Sequence, residues 1–192
     1  MKIIFLDFDG VITIPPKWYI NIDKLKILKR IIDATDAKIV ISSSWRCGIP
    51  PSLELTIEKM IGHSKRCPKN RMLNWFIDNL YDVTPLCGGC RGNEINAYLK
   101  EHSEINNYLI LDDDGDMLDE QLFHFVQTDY QTGLTSHEEE LAIKVLNNKY
   151  VWNILGLNYE IRDAWRKKCE GKIDRWNEII KYNDLTDKYE EN

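Results

Sequence analysis

Lys2-Ile3-Ile4-Phe5-Leu6-Asp7-Phe8-Asp9-Gly10 opens the chain with a short apolar run that ends abruptly in two carboxylates and a glycine. So short a run, bounded by polar residues, suits a strand buried on both faces in a parallel sheet. Residues 37–41 repeat the pattern and run into Ser42, Ser43 and Ser44. Between the two, Leu25, Leu28, Ile31 and Ile32 recur at helical spacing over residues 22–32, which makes the opening a β-α-β unit. Residues 108–111 and 123–127 read as further strands, the first ending in Asp112-Asp113-Asp114, and residues 94–101 and 138–146 read as helices. The alternation predicts an α/β fold with a doubly wound, Rossmann-like parallel sheet. Ligands bind such sheets beyond the carboxyl ends of the strands. Here those ends carry Asp7 and Asp9, then Ser42 to Ser44, then Asp112 and Asp113, so three segments converge on one crevice.

The composition is that of a folded domain: 43% of the 192 residues are hydrophobic and 29% charged, with six Trp and nine Tyr. A net charge of -6 provides no global positive field for a long polyanion, so any contact with nucleic acid must be local. Asp7 and Asp9 interrupt the first apolar run too early for a signal peptide or a membrane span, and a cytoplasmic protein is expected. Five cysteines, an odd number, favour reduced thiols over a disulfide framework. Cys87-Gly88-Gly89-Cys90 has the spacing of a metal knuckle or a redox pair, and His63 with Cys67 could complete a zinc set. Against zinc, no second close Cys/His pair accompanies them.

Four segments carry the chemistry. In the first, a carboxylate on the turn after a strand can attack phosphorus, and a second one two residues on can move protons, while Gly10 lets the backbone turn close to a phosphate. In the second, Ser42, Ser43 or Ser44 offers a hydroxyl that can donate to a phosphoryl oxygen without adding charge, and Ser44 could instead cap the following turn. In the third, Arg91-Gly92-Asn93-Glu94-Ile95, a cation at a helix start can offset clustered negative charge, with Lys100 as the fallback. In the fourth, acids following an apolar strand offer the oxygen ligands that Mg2+ requires.

Taken in order over residues 1–146, these segments resemble the four motifs of the haloacid dehalogenase (HAD) superfamily. That resemblance implies a Mg2+-dependent phosphohydrolase in which Asp7 is the nucleophile and Asp9 its acid/base partner. Ser43 or Ser42, Gly10 and Arg91 would bind the phosphate. Asp7, the backbone carbonyl of Asp9, and Asp112 or Asp113 would hold the metal. More narrowly, Ser42-Ser43-Ser44-Trp45-Arg46, Arg91-Gly92-x-Glu94-Ile95 and the later Val126-Gln127-Thr128-Asp129 and Gly133-Leu134-Thr135 are similar to HAD domains of nucleic-acid repair proteins, relatives of the phosphatase part of polynucleotide kinase-phosphatase. The implied substrate is a nucleotide or the 3' or 5' phosphate of a strand end.

The HAD-like domain is expected over residues 1–150, with residues 50–90 as a small insertion or substrate-facing wall containing helices over 52–61 and 72–80. About a dozen residues separate Asp9 from the first helix, which leaves no room for a large cap there. Residues 151–192 read as a helical extension whose Trp165, Cys169, Ile173, Trp176 and Ile180 form an apolar stripe. Such a stripe is expected to pack on the core or across a homodimer.

Overall fold

Ile3 to Leu6 are fully buried because strand β1 (Lys2–Leu6) lies at the centre of the sheet, between β2 (Lys38–Ile41) and β4 (Asn107–Asp112). The computed structural model describes residues 1–17, 19–64 (side chains as far as 61) and 71–147. Among these the sheet has five strands in the order β3-β2-β1-β4-β5, with β3 (Leu80–Val83) and β5 (Phe125–Gln127) at the edges. Every pairing is parallel, as the alternation of strands and helices requires.

The two faces of β1 bury different cores. Ile4 and Leu6 pack with Leu25, Leu28, Ile31 and Ile32 of α1 (Ile22–Thr35), Leu73 and Phe76 of α3 (Arg71–Asp78), and Leu141, Ala142 and Val145 of α5 (Ser136–Leu146). Ile3 and Phe5 face the other way, onto Ile95 and Tyr98 of α4 (Arg91–Glu101) and Leu122 of the short 3-10 turn Asp119–His124. Helices on both faces make the sheet doubly wound. The ends of α1 are set locally: Asn21 accepts a hydrogen bond from the Asp23 N–H at 2.9 Å, and Asp36 turns the chain out with φ of 56°. At α5, Thr135 and Glu138 form a reciprocal capping box.

Residues 50–90 differ from the expectation. They do contain two helices, α2 (Leu53–Ser64) and α3, but their last part is β3, an edge strand of the main sheet and not an insertion. Leu80-Tyr81-Asp82-Val83 escaped notice because an edge strand is half solvated, and only Val83 in it is buried. Likewise, the 123–127 strand is shorter than expected, since Phe123 and His124 belong to the 3-10 turn. The extension over residues 151–192, its apolar stripe and its dimer reading lie outside the described residues, as do Cys67 and the side chain of His63. Among the described residues, no helix is long and apolar enough to cross a membrane.

Candidate active site

The chain builds outward from β1 to β2 and β3 on one side, then crosses back to β4 and β5 on the other. The order therefore reverses between β1 and β4, and a crevice opens at their carboxyl ends. Asp7 follows β1 directly, and its N–H continues the ladder to the Leu111 carbonyl at 2.9 Å. Asp112 ends β4 and Asp113 follows. Carboxylate oxygens of Asp7, Asp112 and Asp113 all lie within 4.8 Å of one another.

Arg91, the first residue of α4, reaches into this cluster. Its Nη2 is 3.1 Å from Asp7 Oδ1, and its Nε is 3.3 Å from Asp112 Oδ2. Lys100 lies in the last turn of the same helix, about 13 Å farther along the axis at ~1.5 Å per residue, and is exposed. Arg91 is thus the cation that meets Asp7.

Burial and crowding leave the carboxylates short of compensation. Burial raises the pKa of Asp7 to about 6, against the pull of Arg91 and a hydrogen bond from Ser43, while Asp113 and Asp9 push it further up. Asp112 is raised well above the ordinary carboxylate range, by burial first and then by Asp7. Asp113 moves the same way, also chiefly through burial. One guanidinium for three carboxylates leaves excess negative charge, and Asp112 Oδ2 has no well-formed hydrogen bond among the described residues. Three hard oxygen donors with surplus charge suit a Mg2+ ion, which takes one or two carboxylates and keeps room for water and phosphate.

Gly10 shows why this position carries no side chain. A Cβ there would lie 2.4 Å from Asp113 Cγ, and φ is +71°, a conformation that favours glycine. The Gly10 N–H goes to the Thr13 carbonyl at 2.8 Å, and its carbonyl accepts from the Thr128 hydroxyl at 2.8 Å. What the missing side chain opens is the approach of Asp113.

Asp9 does not join the carboxylate cluster. Its Oδ1 accepts from the Thr13 hydroxyl at 2.6 Å and its Oδ2 from the Trp45 indole N–H at 2.9 Å. Of the serines, Ser43 is buried beside Asp7 and its Oγ accepts from the Trp45 N–H at 3.3 Å. Ser42 is also buried, and its hydroxyl has no partner among the described residues. Ser44 is exposed.

Several further residues around the site carry no role in the sequence reading. Arg46 is buried, and its Nη2 pairs with Glu94 Oε2 at 2.7 Å. It also donates from Nε to the Ser43 carbonyl at 2.7 Å, and from Nη1 to the Thr84 hydroxyl and the Thr84 and Pro85 carbonyls. The same Glu94 oxygen lies 3.9 Å from Arg91 Nη1, so Glu94 faces both arginines. Asp116 accepts the Arg91 N–H at 2.7 Å and thereby caps α4. Gln121, buried, donates to the Gly92 carbonyl at 2.8 Å and accepts from the Leu118 N–H at 2.9 Å. These contacts tie the acidic loop after β4 to the helix that carries Arg91. Cys87 and Cys90 bracket the turn just before α4; Cys87 is exposed and Cys90 half-buried.

Comparison with known proteins agrees with this geometry. No solved structure matches the chain. The family model described as the HAD domain in Swiss Army Knife RNA repair proteins matches residues 3–138, which run from the start of β1 into α5 and include every residue of the carboxylate cluster, Arg91 and both Asp9 partners. The chain belongs to this family of HAD domains.

Proposed function

We propose that the protein is a Mg2+-dependent phosphomonoester hydrolase that works through an aspartyl-phosphate on Asp7 and removes a terminal phosphate from RNA. The observation that carries the reading is the meeting of Asp7, Asp112, Asp113 and Arg91 at the point where the strand order reverses.

Asp7, Asp112 and Asp113 would hold the metal with the Asp9 carbonyl. Mg2+ bound there supplies Lewis-acid neutralisation of Asp7 and of the phosphate, which would otherwise repel each other. Asp7 Oδ attacks phosphorus as the ester P–O bond breaks, and Asp9 delivers its proton to the leaving oxygen, which departs as an alcohol. In the second half, Asp9 as carboxylate takes a proton from water, whose oxygen attacks the same phosphorus. Inorganic phosphate leaves and the Asp7 carboxylate is restored. Arg91 and the Ser43 hydroxyl donate to the phosphoryl oxygens, where charge develops in the transition state.

Membership of a family of HAD domains found in RNA repair proteins supports an RNA end as substrate. The net charge of -6 favours recognition of an end over tracking of a long strand. The test is a substrate panel with p-nitrophenyl phosphate, mononucleotides, and oligonucleotides bearing a 3' or a 5' phosphate. Phosphate release that stops with EDTA, returns with Mg2+ and is fastest on a phosphorylated RNA end is expected. Faster turnover of mononucleotides would make the protein a nucleotidase. Binding without release in Mg2+, Mn2+ or Co2+ would make it a non-catalytic member of the fold.

A further inference from the structure

The Asp9 carboxylate is held at both oxygens by two chemically different donors. Thr13 holds Oδ1 at 2.6 Å, and the Trp45 indole, from the segment that follows β2, holds Oδ2 at 2.9 Å. The indole is itself fixed, because its ring packs against Phe8 at 5.6 Å between centroids and lies 5.7 Å from Lys59 Nζ. The backbone N–H of Trp45 is anchored on Ser43 Oγ. From this geometry we infer that Trp45 is a positioning residue that fixes which oxygen of Asp9 exchanges protons with the substrate. The inference rests on the acid/base reading of Asp9 given above.

The two donors behave differently. An indole N–H only donates, so the oxygen facing it must remain an acceptor in every step. A hydroxyl can rotate. Thr13 Oγ1 has a second acceptor within reach, the Phe8 carbonyl at 3.2 Å, to which it can turn when Oδ1 carries the proton. Oδ2 therefore stays unprotonated under Trp45, and Oδ1 is the oxygen that gives the proton to the leaving group and receives it from water. Without the indole only Thr13 holds the carboxyl, and the proton can settle on either oxygen.

A role in leaving-group protonation has a signature that a merely structural role lacks. An alkyl phosphate needs its leaving oxygen protonated, whereas p-nitrophenolate departs readily without a proton. Wild type, Asp9→Asn and Trp45→Phe are compared in steady-state turnover of glycerol phosphate and in the rapid release of p-nitrophenol during the first turnover. Trp45→Phe keeps an aromatic ring, smaller than the indole, against Phe8 and removes the N–H. It is expected to leave KM and the p-nitrophenol burst within about threefold, and to lower kcat on the alkyl ester by about tenfold or more, a share of the roughly 10²–10⁴-fold that positioned acid/base catalysis supplies.

Equal losses on both esters, or no loss on either, would overturn the inference. If Asp9→Asn lacks the leaving-group dependence, the acid/base reading fails and the inference falls with it. If Asp9→Asn shows the dependence and Trp45→Phe does not, the positioning role alone is wrong. A second measurement needs no Trp45 variant: in 15N-labelled full-length protein, Asp9→Ala should shift one of the six tryptophan indole N–H resonances. Six unmoved resonances would contradict the contact itself.

Discussion

Asp7 is buried beside two other carboxylates with Arg91 paired to it, and burial first, then that crowding, sets the direction of its pKa shift. A carboxyl whose pKa is raised on folding, here from 3.8 to about 6, stabilises the fold while it is protonated. That contribution is complete below about pH 3.8 and is lost as the pH rises through about 6, and Asp112 and Asp113 add to it in the same sense. A divalent cation replaces the missing protons. Thermal denaturation in EDTA should therefore show this site costing stability at pH 7.5 relative to pH 5.5, and Mg2+ should raise Tm by several degrees at pH 7.5 and by less at pH 5.5. A Mg2+ effect that does not grow with pH would contradict the assignment. Glu94 allows a second test at this scale. Removing its carboxylate in Glu94→Ala leaves Arg46 buried without its ion pair, a change that costs about 3–5 kcal/mol when the pair is buried, and frees Arg91 on one side. Chemical denaturation should show a loss near that size, with a fall in kcat in whatever protein remains folded, and Glu94→Gln should recover part of both. Asp7, Asp9, Asp112 and Asp113 could be picked out in the sequence because they stand where short apolar runs stop, and Arg91 because its segment resembles a HAD motif. Trp45, Thr13, Arg46 and Glu94 were not assigned roles, because their partners lie on other segments and a side-chain contact between segments leaves no local pattern.

The elements hold the site through their ends. Loops after β1, β2 and β4 and the start of α4 each supply a charged or hydroxyl group, and few backbone positions there tolerate change. Gly10→Ala would set a methyl group against the Asp113 carboxylate at a backbone conformation that disfavours alanine. The variant should remain folded, losing on the order of 1 kcal/mol from the backbone alone, and bind Mg2+ at least about tenfold more weakly by calorimetry. Unchanged Mg2+ affinity would mean that Asp113 is not drawn into the site through this gap. Central strands were readable at this scale because both their faces are buried and their sequences are continuous apolar runs. β3 was not. As an edge strand only four residues long, it has Leu80 and Val83 as its only aliphatic residues around Tyr81 and Asp82, and the neighbouring prolines and glycines made residues 50–90 resemble an inserted wall. The start of α4 was missed by three residues, since Arg91, Gly92 and Asn93 show no apolar period and the helix is capped by Asp116 from a distant loop.

At the scale of the whole molecule, the alternation of strands and helices was enough to imply a doubly wound sheet, but strand order was not contained in it. The order β3-β2-β1-β4-β5 is what brings the end of β1 against the end of β4 and creates the crevice. Two cores, one under α1, α3 and α5 and the other under α4, clamp the sheet so that the carboxylates cannot spread apart to relieve their repulsion. A rigid excess of negative charge that a divalent cation can balance, so that the cation and Arg91 together can accept an anionic phosphate beside Asp7, is the physical basis of the proposed activity. Passage of the phosphate through a covalent bond to Asp7 can be tested by trapping that bond. Protein mixed with Mg2+ and a phosphomonoester, quenched in acid within the first turnovers and digested, should yield the peptide around Asp7 carrying one phosphoryl group. The group should be removed by hydroxylamine and absent from Asp7→Asn, which should also lose turnover. Phosphate release by the wild type with no label on Asp7, or an Asp7→Asn protein that still turns over, would contradict the account.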